Sequence, residues 1–201
     1  MWHILSGSRW MCETVGRIRH SIPPGGFFQV NTGAAAILAE LVAEALAGCG
    51  RVLDLFGGSG LFALAAAARG ASVTSVEWNA DASSAGRTAA AENSLERVDF
   101  VTSGVREFLS GGRAGSPGWD AVICDPPRSG AGTRVARLAA RLGAPRLVWV
   151  GCDPWTTARD LITLSRSYEV ERVVPVDLFP QTDHVETVAL MSRRGRGGGR
   201  A

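Results

Sequence analysis

Lysine is absent from the 201 residues: all 21 basic side chains are arginine, set against 19 acidic ones, for a net charge of +2. So small a surplus does not by itself make a strong phosphate-binding surface. The arginine bias fits a GC-rich coding bias as well as a need for guanidinium forks. No apolar run approaches the roughly 18 residues of a membrane span, and the opening MWHILSGSRW lacks the basic-then-apolar order of a signal peptide. The expected location is cytoplasmic, with no membrane partner. Cysteine is scarce. Cys12, Cys49, Cys124 and Cys152 show no C-x-x-C spacing, so neither a zinc site nor a disulfide framework is indicated, and no metal is expected.

What is present is apolar, at 46% of the chain, enough to bury one full core, with no disorder expected outside the ends. The stretch Arg51 to Glu77 organises the rest: strand, glycine-rich turn, helix, and a second strand ending in an acid. Val52, Leu53, Leu55 and Phe56 form a short apolar run suited to a strand buried on both faces. Gly57, Gly58 and Gly60 permit a tight turn and close approach to a ligand, and Leu61 to Arg69 is Ala/Leu-rich helix. Its free amides would face that ligand. Glu77 follows the turn by about 20 residues, the spacing at which an acid meets a ribose diol. Phe56 stands where a first dinucleotide glycine would be, which favours S-adenosylmethionine over NAD.

Upstream, Glu13 to His20 reads as a strand or hairpin arm within an N-terminal extension, residues 1–30. PPGGFFQVN then forces a turn that Phe27 and Phe28 anchor, and Asn31 or Thr32 can cap the next helix. Gln29 is placed either to bind something or to satisfy turn backbone, and its residue type favours the second. Downstream, Trp119 to Cys124 forms a strand that delivers Asp125-Pro126-Pro127-Arg128 at its carboxyl end, the ligand end of an open α/β sheet. A helix from Thr133 to Leu142 carries Arg134, Arg137 and Arg141 on one face, a pattern usually solvated.

After the strand Arg146 to Gly151, Pro154 suits a first helical position and Asp153 its cap, so Cys152 lies beside a helix amino terminus. That helix end lowers a thiol pKa while Asp153 opposes it. Tyr168 to Asp177 is a sixth strand and His184 to Met191 a seventh, with Glu186 an acid at the entry of an otherwise apolar strand. Beyond Met191, SRRGRGGGRA offers nothing to pack, and residues 193–201 are expected to be a flexible Arg/Gly tail, holding RNA loosely or simply solvated.

In order and spacing, FFQVN, LDLFGGSG, SVEWN, CDPPRSG, VGCDPWTTARDL and DLFPQTDHVETVALM resemble the catalytic domain of the RNA uracil-5 methyltransferases, which make 5-methyluridine in tRNA or rRNA. The resemblance runs from about Thr14 to Ser192. It implies a seven-stranded, Rossmann-like α/β sheet of the class I methyltransferase type over residues 31–192, with helices on both faces and the last strand antiparallel. By the same resemblance Gln29, Phe56, Gly58, Glu77 and Asp125 would bind S-adenosylmethionine, Cys152 would be the nucleophile and Glu186 the proton-abstracting base. The chain departs from the family's usual residues at Gly151, Asp153 and Gln181, and family members usually carry a preceding RNA-binding domain.

The expected activity is therefore methylation of carbon 5 of uridine in RNA through a covalent cysteine adduct. The alternatives are transfer to a small pyrimidine-containing substrate, or a non-catalytic cofactor-binding remnant that serves as a partner subunit. An RNA-binding partner or a missing N-terminal domain would supply further RNA affinity.

Overall fold

Val52, Leu53 and Leu55 are wholly buried, as are Ala121 to Cys124 and Leu147, Trp149 and Val150. Strands that are apolar on both faces must be covered on both faces, and each such Val or Leu contributes about 1.5–3 kcal/mol by leaving water. In the computed structural model, which describes residues 6–111, 114 and 118–195, these segments are the centre of a seven-stranded sheet. Most of the Arg/Gly tail, from residue 196, lies outside the described residues.

In chain order the elements are β1 (Met11–Val15), β2 (Ile18–Ile22), α1 (Thr32–Ala45), β3 (Arg51–Leu55), α2 (Leu61–Ala68), β4 (Ser72–Glu77) and α3 (Ala80–Glu92). There follow β5 (Val98–Thr102), α4 (Val105–Ser110), β6 (Ala121–Cys124), α5 (Gly132–Arg141), β7 (Arg146–Gly151), α6 (Pro154–Leu164), β8 (Tyr168–Val176) and β9 (Glu186–Arg193). The large sheet has the order β5-β4-β3-β6-β7-β9-β8. Neighbours from β5 to β7 pair parallel, whereas β9 pairs antiparallel with both β7 and β8. This is the α/β sheet expected, down to its reversed last strand.

The core lies in two main layers. One face packs Leu38, Val42 and Leu46 of α1 and its C-cap, with Phe62, Ala63 and Ala66 of α2, against the sheet. The other packs Phe108, Val135, Ala139 and Leu164 from α4, α5 and α6. The hairpin β1–β2 forms its own two-stranded sheet. It is tied to α3 where the Arg19 N–H donates to Asn93 Oδ1 at 3.0 Å and Asn93 Nδ2 returns a bond to the Arg19 carbonyl at 2.7 Å.

At two of the boundaries that differ from the sequence expectation, a turn competes with the strand. β3 ends at Leu55, and Phe56 adopts φ 62° as the chain swings into the glycine turn. β9 begins at Glu186 rather than His184, since the His184 N–H donates to Thr182 Oγ1 at 3.2 Å within a preceding turn. At its far end β9 takes in Arg193, and Arg194 Nε donates to the Ser165 and Tyr168 carbonyls at 3.1 and 3.2 Å, so the first arginines of the tail are held to the sheet.

Candidate active site

The carboxyl ends of β3, β4, β6 and β7 surround a cavity of about 750 Å³, at the place where the sheet order reverses between β3 and β6. Gln29, Phe56, Gly58, Glu77, Asp125, Cys152 and Glu186 all line it. The structure thus brings together in one cleft every candidate residue of the sequence analysis.

The glycine turn passes directly over a buried polar pair, Ser75 Oγ donating to Asp54 Oδ2 at 3.1 Å. A Cβ at Gly57 would overlap Ser75 Oγ and lie 2.6 Å from Asp54 Oδ2, so no side chain fits there. The Gly58 N–H donates to Glu77 Oε2 at 3.0 Å and the Asn79 N–H to Glu77 Oε1 at 2.8 Å. Both carboxylate oxygens are held by backbone and keep lone pairs for a further partner.

Asn31 caps α1, accepting from the Ala34 N–H at 3.1 Å, and its amide donates to the Leu178 carbonyl at 3.3 Å. Close by in the chain Gln29 is buried, and its side-chain oxygen has no hydrogen-bond partner. The expectation that Gln29 satisfies turn backbone is therefore overturned. A buried, unpaired acceptor costs about 1–3 kcal/mol, and one lining a cavity asks for a donor from whatever occupies it.

On the opposite wall Asp153 caps α6, accepting from the Thr156 N–H at 2.9 Å, with Pro154 at the helix start. This fixes Cys152 between the end of β7 and the helix. Antiparallel pairing of Gly151 with Thr187 then places Glu186, the next residue outward on β9, alongside Cys152. Electrostatically the two groups share one poorly solvated pocket. Burial holds the Glu186 carboxyl up at about 7. Burial, then Glu186 and Asp125, pushes the Cys152 thiol up, while Arg128 pulls it down. The Asp125 carboxyl is driven well above its ordinary range by burial and by Glu186 and Asp54.

The thiol thus moves opposite to the lowering a helix end alone supplies. Its opponents are Glu186 and Asp125 rather than Asp153, whose own carboxylate is held low by the Thr156 amide. A cluster of acids whose charged forms disfavour one another is suited to moving protons rather than to holding structure.

The rim holds residues the sequence analysis did not single out, among them Trp78, Phe179 and His184. Trp78 directly follows the strand-ending acid and is exposed. Phe179 and His184 pack edge to face at 6.2 Å between ring centroids. Among the described residues no cluster of metal-ligating side chains occurs, and no helix is long and apolar enough to cross a membrane.

Residues 16–194 match the family model described as tRNA (Uracil-5-)-methyltransferase. A 23S rRNA (uracil(1939)-C(5))-methyltransferase of Pseudomonas fluorescens is 42% identical over 170 residues, covering 83% of this chain and 38% of that protein. A 23S rRNA (uracil(747)-C(5))-methyltransferase of Pyrococcus abyssi is 34% identical over 192 residues, covering 95% and 45%. Among solved structures, the tRNA (uracil-54, C5)-methyltransferase of Pyrococcus abyssi in complex with S-adenosyl-L-homocysteine superposes with a TM-score of 0.82 at 32% identity, covering 92% of this chain and 45% of that one. The chain spans about two fifths of the length of the curated relatives it matches.

Proposed function

Because the chain belongs to the tRNA (uracil-5-)-methyltransferase family, we propose that it methylates carbon 5 of a uridine in RNA, using S-adenosylmethionine, through a covalent adduct of Cys152 that Glu186 resolves. The observation that carries this reading is the convergence of Cys152 and Glu186, from the facing ends of β7 and β9, on the cavity that also holds the unpaired Gln29 oxygen.

The residues present fit the cofactor. Gln29 Oε1 would accept from the ammonium of its amino-acid end, and the free lone pairs of Glu77 would accept from its ribose diol. Phe56 and Trp78 would cover the adenine, and Gly58 leaves the backbone open beneath it. When bound, S-adenosylmethionine supplies an electrophilic methyl sulfonium.

The chain's own residues do the rest. Carbon 5 of uracil is too electron-poor to attack such a methyl group unaided. The Cys152 thiolate adds to carbon 6, and the electrons of the carbon 5–carbon 6 double bond move to the carbon 4 carbonyl as an enolate. Carbon 5 then takes the methyl group. Glu186 removes the proton left on carbon 5, the double bond reforms, and the thiolate departs. Positioned proton transfer is worth roughly 10²–10⁴-fold, and a carboxylate held near 7 is matched to it. A uridine within RNA must leave its stack to reach the thiol.

The test is covalent trapping on RNA. Wild-type protein with 5-fluorouridine RNA and cofactor should give a denaturation-resistant complex, Cys152→Ala none, and Glu186→Gln should accumulate the methylated adduct on ordinary uridine RNA. Equal behaviour of wild type and Cys152→Ala would end the proposal.

A further inference from the structure

Charge is unevenly shared along the chain. Residues 126–166 carry seven arginines against two aspartates and no lysine or glutamate, although the whole chain is only +2. Of the two aspartates, Asp160 is fully buried and paired with Arg159, and Asp153 is committed to capping α6. Arg128, Arg134 and Arg137 are exposed, and none makes an ion pair among the described residues.

Beside the cavity this basic segment presents one aromatic side chain. Trp155 lies three positions after Cys152, in the first turn of α6, and is 85% exposed. Thr156 Oγ1 donates to the Arg128 carbonyl at 3.1 Å, and Arg159 Nη2 to the Ser129 carbonyl at 2.9 Å. The turn bearing Trp155 is thereby fastened to the loop bearing Arg128, which itself lines the cavity. The start of α5, with Arg134 in its first turn, follows that loop directly.

We infer that Trp155 and the arginines of this layer form the docking surface for the single-stranded RNA flanking the target uridine, Trp155 stacking on a neighbouring base and Arg128, Arg134 and Arg137 meeting phosphates. The inference rests on the reading of the cavity as a uridine-methylating site. A large indole left in water, in a segment whose exposed Arg128, Arg134 and Arg137 make no close ion pair among the described residues, matches the way unstacked RNA is held, by aromatic platforms and cations along the backbone. A polyanion is the occupant that this charge complements.

Binding of a uridine-containing RNA 12-mer, measured by fluorescence anisotropy with S-adenosylhomocysteine present, tests it. Trp155→Ala should weaken binding by about 10-fold or more, while Trp155→Phe, which keeps an aromatic face, stays within about 3-fold of wild type. Arg134→Ala and Arg137→Ala should each flatten the dependence of log affinity on log salt by about 1. S-adenosylhomocysteine affinity should be the same in all four variants, which shows that the fold is intact. Wild-type affinity in Trp155→Ala overturns the inference, as does equal loss in Trp155→Ala and Trp155→Phe. Methyl transfer and trapping by the wild-type protein are read separately, so failure of the catalytic reading is distinguishable from failure of the docking surface.

Discussion

The carboxylate of Asp160 accepts a hydrogen bond from the Ala131 backbone N–H at 2.8 Å, joining the middle of α6 to the loop that follows Asp125. The same oxygen also takes the Gly132 N–H at 3.4 Å, and the other oxygen takes Arg159 Nε and Nη2 at 3.2 and 3.1 Å. Truncation to Asp160→Ala leaves these donors without their acceptor. The expected cost is on the order of 3 kcal/mol, read as a lowered urea midpoint, with Asp160→Asn losing less. A change under about 1 kcal/mol would show that the clamp contributes little.

Rate should depend on pH in one direction. The proposed mechanism needs Cys152 and Glu186 without their protons, and burial raises both, Glu186 to about 7. Single-turnover formation of free 5-methyluridine in RNA, which needs both addition of the thiolate and removal of the carbon 5 proton, is expected to rise steadily from about pH 6 to about pH 8.5. A profile flat over that range would contradict the assigned roles.

Stability should run the other way. Burial holds the Asp54 carboxyl up at about 7 against a usual 3.8. The folded chain therefore keeps a proton that the unfolded chain gives up. The contribution is fully present below about pH 4 and is lost as pH rises to about 7, and Glu186 acts with the same sign. Urea unfolding should show a higher midpoint at about pH 5 than at about pH 8, and Asp54→Asn should narrow that gap. An unchanged gap would remove Asp54 as its source.

Phe56 sits at φ 62° on the cavity wall. A non-glycine residue in that region costs about 1–2 kcal/mol, similar to what a partly buried phenyl ring contributes by burial. Phe56→Gly should accordingly change stability little while weakening S-adenosylhomocysteine binding about 10-fold by calorimetry, the loss of a stacking face. Unaltered affinity would show that the ring does not touch the ligand.

The sheet and its ligand end were legible because buried parallel strands, the glycine turn and the acid of β4 each impose a local pattern. The direction of the Cys152 thiol was not. It depends on Glu186 and Asp125, brought close by strands distant in the chain. Asp160 does leave a trace in the sequence: Thr157, Asp160 and Leu164 share the buried face of α6, and an acid on such a face needs partners. Trp155 leaves none, since an exposed side chain obeys no packing period.

Reversal of β9 has a consequence for how this architecture can vary. Cys152 and Glu186 lie far apart in the chain, yet their proximity is set by the rung joining Gly151 to Thr187, not by the peptide between them. The 177–185 connection gives Phe179 and His184 to the cavity rim but does not set the spacing of Cys152 and Glu186. A slip of a single rung would turn the carboxylate to the opposite side of the sheet and away from Cys152.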